Sequence, residues 1–147
     1  MKIFQFIAFV VLGAIMFTSC SEDDKLTYNP EIAVEAVISL PGVDDLSFTI
    51  DDADELVKFQ WTAADPGLSL QVDYEVQLGT TNTFEKVTTL FETRETTMDV
   101  KVSTINNALI ALEYELEVDA KVYCRVIAKL NDNIADIISA FKEYDTK

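Results

Sequence analysis

The stretch VKFQWTAADPGLSLQVDYEVQL, residues 57–78, carries the strongest structural pattern in the chain. On either side of its centre, apolar side chains alternate with polar ones, which is typical of β-strands that bury one face and expose the other. Asp65-Pro66-Gly67 separates the two runs, and this composition favours a tight turn. The stretch therefore predicts two β-strands joined by a turn, with Trp61 in the core rather than exposed on the surface.

The same alternation recurs along the rest of the chain. Turn-forming residues separate several of these runs, as expected for a domain built of short strands. Cys124 lies on the apolar side of the longest run and is predicted to be a buried, unreactive thiol. Further strands are predicted at residues 32–40, 46–50, 87–92, 98–102 and 118–130.

Two segments have helical spacing. Ser103 stands at a helix N-cap position, and the apolar residues from 105 to 112 follow it at the helical period. The final segment, residues 134–144, fits a helical period as well as a closing strand. The turn composition of residues 131–133 favours the strand, because it is typical of a hairpin.

Several short motifs resemble a known family. The motif F-x-W-T-A-A-D at residues 59–65, the short helix, and R-V-x-A at residues 125–128 resemble the N-terminal domain of SusE-type outer-membrane lipoproteins. Residues 57–78 are also similar to the B–C region of fibronectin type III domains. The resemblance implies an all-β fold: an immunoglobulin/fibronectin type III-like antiparallel β-sandwich with one short helix before the penultimate strand. It further implies that strand 70–78 pairs with strand 118–130.

The N-terminal residues have the composition of an export signal. An apolar run at residues 3–17 follows a lysine, and two small residues then precede Cys20. The run is shorter than the about twenty residues that a membrane-spanning helix needs. Cys20 resembles the acylated cysteine of a bacterial lipobox, although Phe17 stands where leucine is usual. The alternative is an ordinary signal peptide with a chance cysteine.

An acidic segment follows this cysteine. It resembles the tag that sends Bacteroidetes lipoproteins to the cell surface, and a solvated linker is the alternative interpretation. We therefore expect a lipoprotein signal peptide at residues 1–19, a lipidated acidic linker at residues 20–31 and a fibronectin type III-like domain at residues 32–147. The predicted lipidation site is Cys20, and the predicted surface-export signal is Ser21, Glu22, Asp23 and Asp24.

Composition limits the function. The chain has 26 Asp and Glu against 11 Lys and Arg, a net charge of −15, and no histidine. This charge repels nucleic acid and anionic lipid headgroups, so we expect no nucleic-acid partner and membrane attachment only through a lipid. Histidine is the commonest general base and zinc ligand, and no glycine-rich phosphate loop is present. The sequence thus predicts no enzyme, no catalytic residue, no cofactor and no metal site.

One acidic run, residues 51–55, leaves an alternative open. Clustered carboxylates suit calcium, but the run lacks the glycine and the distal glutamate of an EF-hand loop. A solvated loop is the simpler interpretation. The alternative function is a small cell-surface adhesion domain whose acidic loop binds calcium.

The outward side of the strand at residues 118–130 carries a basic and aromatic stripe. This stripe is a candidate binding surface, but Asp73 and Glu75 of the neighbouring strand should face it. Opposite charges across strands stabilise a sheet by about 0.2–1 kcal/mol per pair. We therefore predict at least one acid–base contact between the two strands. The stripe consists of Lys121, Tyr123, Arg125 and Lys129.

The resemblance implies a surface-tethered, non-catalytic accessory domain in a polysaccharide (starch-like glycan) binding and uptake system, acting as a spacer or docking module. It implies a lipid-anchored location at the outer membrane, facing the cell exterior, and a SusC/SusD-type transporter complex as a partner. Family members usually continue into further C-terminal domains that hold the glycan sites. A glycan is therefore a candidate ligand, but no glycan-binding residue is assigned.

Overall fold

The computed structural model describes residues 28–40, 42–115 and 117–147, and in this part of the chain two antiparallel sheets form a sandwich. Its eight strands are β1 (Ile38–Ser39), β2 (Leu56–Trp61), β3 (Asp73–Gly79), β4 (Val87–Thr93), β5 (Thr97–Lys101), β6 (Ala120–Lys129), β7 (Ile137–Ile138) and β8 (Lys142–Thr146). The smaller sheet has the order β1-β2-β5. The larger sheet has the order β4-β3-β6, with β7 and β8 both paired to β6. The predicted all-β fold is confirmed.

The core lies between the two sheets and is formed by the alternating apolar residues. Trp61 is 3% exposed, and its ring lies 5.6 Å from that of Tyr74 between centroids. Phe59 is fully buried and meets Phe91 edge-on at 5.5 Å. Edge-to-face pairs contribute about 0.5–1.5 kcal/mol beyond the burial of their area, so these rings help to hold the sheets together. The prediction that Trp61 is a core residue is confirmed.

The centre of the larger sheet is the antiparallel pair β3–β6. Tyr74 lies opposite Ala128 and Leu78 lies opposite Cys124, and all four side chains are buried. Burial raises the pKa of the Cys124 thiol to about 12, so the thiolate does not form at ordinary pH. The predicted pairing of these strands and the predicted burial of Cys124 are confirmed.

The helix α1 (Val102–Ala111) follows β5 directly. It begins before Ser103, so the prediction of an N-cap at that residue is wrong. The N–H groups of Val102 and Ser103 instead donate to the carbonyls of Glu55 and Ala53, at 3.0 Å each. The preceding loop thus supplies acceptors that a capping side chain would otherwise provide. Nowhere in the described ranges is a helix long and apolar enough to cross a membrane.

The first predicted strand, residues 32–40, is mostly not a strand. Only Ile38–Ser39 pairs with β2, whereas Ile32 and Val34 are 58% and 56% exposed. A single bridge joins Val34 to Asp65. The alternation is real, but a strand also needs a neighbour along its whole length, and the first half of this run lacks one within the described residues. The prediction is wrong for that half.

The segment at residues 46–50 also differs from the prediction, since it forms no strand. It leads into a 3-10 turn at Ile50–Asp52. Leu46 is nevertheless buried, and its N–H donates to the carbonyl of Asp145 at 2.8 Å. The apolar residues of this segment therefore belong to an irregular loop that is held against the closing strand.

The remaining predicted strands are present with shifted boundaries. The run at residues 118–130 becomes β6, and Val118 lies outside the strand and is half exposed. The final segment, residues 134–144, contains strand as predicted, but the strand is divided into β7 and β8. Both parts pair with β6. They form one interrupted closing strand. The helix α1 directly precedes β6, which is the strand before this closing strand.

Candidate docking surface

The outer face of the larger sheet carries the predicted basic stripe. Val122, Cys124, Val126 and Ala128 of β6 point into the sandwich, and the residues between them point outward. In the register with β3, Lys129 lies opposite Asp73 and Arg125 lies opposite Gln77. Lys129 and Arg125 therefore lie beside acidic and polar residues of β3, as the pairing predicts, whereas Lys121 lies opposite Asp145 of β8. Its four members on β6 are Lys121, Tyr123, Arg125 and Lys129.

At one end of this face, two carboxylates hold Lys129. Its Nζ lies 2.5 Å from Glu75 Oε2 and 2.8 Å from Glu92 Oε1. Glu75 is itself buried, and its Oε1 accepts hydrogen bonds from Thr89 Oγ1 at 2.5 Å and from Gln77 Nε2 at 2.8 Å. The predicted acid–base contact between β3 and β6 is therefore confirmed.

These contacts fix the charge of Glu75. Burial opposes ionisation, but hydrogen bonds from Lys129, Thr89 and Gln77 outweigh it and lower the pKa of the carboxyl from 4.5 to about 2. The hydrogen bonds to Glu75 and Glu92 in turn raise the pKa of Lys129. Both groups stay charged at ordinary pH, so this pair is a structural element of the sheet rather than a proton donor or acceptor.

At the other end of the face, Lys121 contacts the carboxylates of β8. Its ammonium group forms an ion pair with Glu143 and lies 3.4 Å from Asp145. Hydrogen bonding to Glu143 raises the pKa of Lys121. The hydroxyl of Tyr114 donates to the carbonyl of Lys121 at 2.6 Å and covers this end of the strand. Two of the three cations in the stripe are thus neutralised by neighbouring acids.

Arg125, in the middle of the face, is held differently. Its Nε and Nη2 both donate to Gln77 Oε1, at 3.0 and 2.8 Å. The guanidinium lies over the ring of Phe84, 4.1 Å from its centroid. Partial burial lowers the pKa of Arg125, although an arginine stays charged at ordinary pH. In the part of the chain that the structure describes, no carboxylate lies within ion-pair distance of this side chain.

Three aromatic rings lie beside Arg125 and form what we call the aromatic cluster: Phe84, Tyr123 and Phe141. The rings of Tyr123 and Phe141 are 5.5 Å apart between centroids and inclined at 75°. Those of Phe84 and Phe141 are 6.4 Å apart and inclined at 55°. Phe141 is 46% exposed, whereas Phe84 is only 9% exposed. The cluster is therefore a contiguous apolar patch that is partly open to solvent.

Two local features place Phe84 on this face. Its backbone is left-handed, with φ at 55°, a conformation that bulky residues rarely adopt. Its ring also occupies the space beside Gly79, where an added Cβ would lie 2.7 Å from a ring carbon. Because Gly79 has no side chain, the ring can lie on the outer surface of the sheet.

Phe141 lies in a β-bulge of the closing strand. Residues 125–126 of β6 lie opposite residues 139–141, so the closing strand carries one extra residue at this point. Ser139 completes the pairing: its N–H donates to the carbonyl of Val126, and its Oγ accepts from the N–H of Val126, each at 2.9 Å. Bulges redirect the side chains that follow them. Here the bulge precedes β8 and brings Phe141 against Tyr123.

Two carboxylates of the acidic run at residues 51–55 have partners within the fold. Asp52 Oδ2 accepts from the N–H and the hydroxyl of Thr49, at 2.8 and 2.7 Å. Asp54 pairs with Lys101 at 2.8 Å. Each of these carboxylates thus has a structural partner. Across residues 28–40, 42–115 and 117–147, no three acidic or cysteine side chains are grouped so that they could hold a metal ion.

The predicted export features lie outside the described residues. They are the signal peptide at residues 1–19, the lipidation site Cys20 and the surface-export signal at Ser21, Glu22, Asp23 and Asp24. The structure does not bear on them, and they stay predictions. The same holds for the stripe as a binding surface, because its geometry shows contacts within the chain only.

The sequence of the chain matches a known protein family. The family model described as SusE outer membrane protein matches residues 21–127, which is most of the chain. The chain belongs to the SusE outer membrane protein family. Neither the curated proteins nor the solved structures include a match. The SusE match covers Phe84 and Arg125 and ends before the bulge and Phe141.

Membership of the SusE family makes the chain an outer-membrane accessory protein of a Sus-type system. The all-β sandwich and the single described helix agree with what the family resemblance implies. Sequence reasoning missed three features of the outer face: the burial of Glu75, the position of Phe84 and the bulge at residues 139–141. A glycine five residues before Phe84 was the one available signal, and it is too common to be specific.

Proposed function

We propose that this SusE-family chain is a surface-tethered, non-catalytic accessory domain of a polysaccharide (starch-like glycan) binding and uptake system, and that it acts as a docking module for a SusC/SusD-type transporter complex. One observation carries the proposal: the charged ends of the outer face are neutralised within the sheet, while its aromatic centre is partly exposed. A polar periphery around an apolar centre is the usual anatomy of a protein–protein contact surface.

The ionisable groups on this face support a non-catalytic role. A general acid or base needs a pKa near the working pH. Here the pKa of Glu75 is lowered to about 2, and the pKa values of Lys121 and Lys129 are raised. Cys124 is fully buried, and the chain has no histidine. The groups therefore keep fixed charges that suit a contact surface better than proton transfer.

The proposed layout places a lipid anchor before the sandwich. Residues 1–19 are the signal peptide, Cys20 is the acylated N-terminus, and residues 20–31 link it to the domain at residues 32–147. The lipid holds the domain to the outer membrane, and the acidic export signal directs it to the cell exterior. A linker of this kind lets the outer face reach a neighbouring protein. We do not propose a calcium-binding adhesion domain, because Asp52 and Asp54 have partners in the fold.

Anchoring is tested by metabolic labelling with an alkyne fatty acid, followed by membrane fractionation. Wild type and the control Cys124→Ala should be labelled and should fractionate with the outer membrane. Cys20→Ala should be unlabelled and should appear as a soluble product or a retained precursor. The lipid anchor is contradicted if Cys20→Ala is labelled and fractionates like the wild type.

Docking is tested by co-purification. The tagged full chain is purified from detergent-solubilised outer membranes, and the SusC/SusD-type pair of the same cell is quantified beside it. We expect the pair to co-purify in a constant ratio with the wild-type chain, and with Cys124→Ala as a control for nonspecific damage. Absence of the pair from the wild-type sample would contradict the docking role and would leave a spacer as the remaining form of the proposal.

A further inference from the structure

The aromatic cluster is built by backbone features that the core does not need. On the inner face, β3 follows plain alternation, with Tyr74, Val76 and Leu78 buried. On the outer face, by contrast, Phe84 has a left-handed backbone, Gly79 leaves room for its ring, and a bulge precedes β8 beside Phe141. Unfavourable backbone conformations cost free energy and persist where the surrounding structure enforces them. The left-handed backbone of Phe84 is such a conformation, and it meets the space beside Gly79 and the bulge at one partly exposed patch, which points to the patch as a site.

Arg125 gives this site a charge that acts on Glu75 only at longer range and has no ion-pair partner among the described residues. A guanidinium has five N–H donors, and Arg125 uses one on Nε and one on Nη2 for Gln77 Oε1. Its remaining N–H groups have no hydrogen-bond acceptor among the residues that the structure describes. The chain carries 26 acidic residues against 11 basic ones, yet no described carboxylate pairs with this cation. A carboxylate from outside the chain would complete the site, since arginine binds carboxylates with two parallel hydrogen bonds.

The ring geometry distinguishes between two kinds of ligand. A sugar ring stacks on an open aromatic face, with polar groups beside it. Here Arg125 covers one face of Phe84, and Tyr123 and Phe141 meet at 75° rather than side by side in one plane. An uneven patch of aromatic rings around an arginine instead matches the residues that dominate binding at protein interfaces. The observations therefore favour a polypeptide.

We propose that Phe84, Tyr123, Arg125 and Phe141 form the centre of a docking surface for a partner polypeptide that presents a carboxylate to Arg125 and an apolar side chain to Phe141. The inference rests on the proposed function, because it takes the chain to be a docking module. It adds the surface and the chemistry of the partner. The paired charges at Lys121 and Lys129 form the polar periphery of this surface.

The test uses the full lipidated chain and the SusC/SusD-type pair as the probe. Phe141→Asp places a charge in the apolar patch, and Arg125→Lys keeps the positive charge but removes the planar fork. Ile110→Asp is the matched control, because Ile110 of α1 is exposed to a similar extent as Phe141 and is not part of the aromatic cluster. Melting temperatures are measured for every variant, and Phe141→Ser replaces Phe141→Asp if that variant does not fold.

We expect the amount of transporter pair retained to fall about tenfold or more for Phe141→Asp, and severalfold for Arg125→Lys, with Ile110→Asp unchanged. Retention by both Phe141→Asp and Arg125→Lys at the wild-type level would overturn the surface and leave the docking role intact. If Ile110→Asp alone reduced the amount of transporter pair retained, the contact would lie on α1, and the proposed docking surface would be overturned. Failure of the wild type to retain the pair would contradict the docking role and the surface together.

A second arm separates the polypeptide from a glycan. Maltoheptaose, a linear glucan, is titrated into the purified wild-type full chain and into the full chain with Phe141→Asp. We expect no saturable binding to either protein. Saturable binding to the wild type that is lost in Phe141→Asp would identify the cluster as a glycan platform and overturn the assignment of a polypeptide partner.

Discussion

The two faces of the larger sheet are built from the same strands by different means. On β3, Tyr74, Val76 and Leu78 point inward and are buried, and Glu75 and Gln77 lie between them on the outer face. The inner face is apolar, and its side chains need only volume and shape. The outer face buries a carboxylate, and the sheet has a register shift on each side of the β3–β6 pair. The inner face thus supplies the core, whereas the outer face holds a specific arrangement of polar and aromatic side chains.

This difference explains why the outer face supports a contact surface. A regular polar face would present separate ion pairs, which contribute little. The observed face instead links Glu75, Gln77 and Arg125 by successive hydrogen bonds and places Phe84 against the arginine. The side chains are thereby held in place before any partner binds, which lowers the entropy cost of association.

The largest expected change in the free energy of unfolding comes from a substitution on β2, in the core that the inner faces of the two sheets form. Trp61→Ala should lower the free energy of unfolding by about 3–5 kcal/mol, because it empties a fully packed aromatic position. Leu56→Ala on the same strand is the matched control, since Leu56 is 62% exposed, and its effect should be within about 0.5 kcal/mol. Denaturant unfolding measures both. Equal effects of the two variants would show that Trp61 is not part of the core.

The next largest change in stability tests whether the outer face differs from an ordinary polar surface. Glu75→Gln should lower the free energy of unfolding by about 3 kcal/mol at pH 7, since the pKa falls from 4.5 to about 2 on folding and each unit is worth about 1.4 kcal/mol. A carboxyl group whose pKa is lowered on folding stabilises the fold at pH values above its pKa in the unfolded chain. That stabilisation is lost as the pH falls through its pKa in the folded protein. The difference between wild type and variant should therefore shrink between about pH 5 and pH 2.

The exposed residue Glu92 is the control for this measurement. Glu92 also pairs with Lys129, but its side chain is 63% exposed. Glu92→Gln should therefore cost well under 1 kcal/mol at pH 7. If the Glu75→Gln difference stays constant from pH 7 down to pH 2.5, the buried ion pair does not contribute as described.

A smaller effect tests the cluster itself. Gly79→Ala should destabilise by about 1–2 kcal/mol, because the new Cβ would overlap the ring of Phe84. In a Phe84→Ala background the same substitution should cost almost nothing, since the ring is gone. Denaturant unfolding of the two single variants and the double variant measures this coupling. Additive effects would mean that the ring does not occupy the space beside Gly79.

Much of the inner architecture could be predicted from sequence. Period-two alternation identifies β2, β3, β4, β5 and β6, and it places Trp61 and Cys124 inside correctly. It fails at residues 32–37, because alternation does not reveal whether a neighbouring strand exists. It also misses α1's true start, because the acceptors for its first N–H groups come from residues 53–55, which are distant in sequence.

The outer face was predicted only in part. Opposite charges at the same period predicted the contact between Lys129 and Glu75. The burial of Glu75 depends on Thr89 from β4, and the position of Phe84 depends on a backbone angle, so neither follows from a strand pattern. The bulge at residues 139–141 is recognised only from the registers in which β7 and β8 pair with β6, and the sequence does not contain these registers.

The most direct test of the central claim is amide hydrogen exchange on the free chain and on its complex with the SusC/SusD-type pair. We expect complex formation to slow exchange at residues 80–86 and 139–143, around the aromatic cluster, and to leave residues 97–111 of β5 and α1 unchanged. Protection confined to residues 97–111, or a stable complex without protection near the cluster, would contradict the claim that the outer face of the larger sheet is the docking surface.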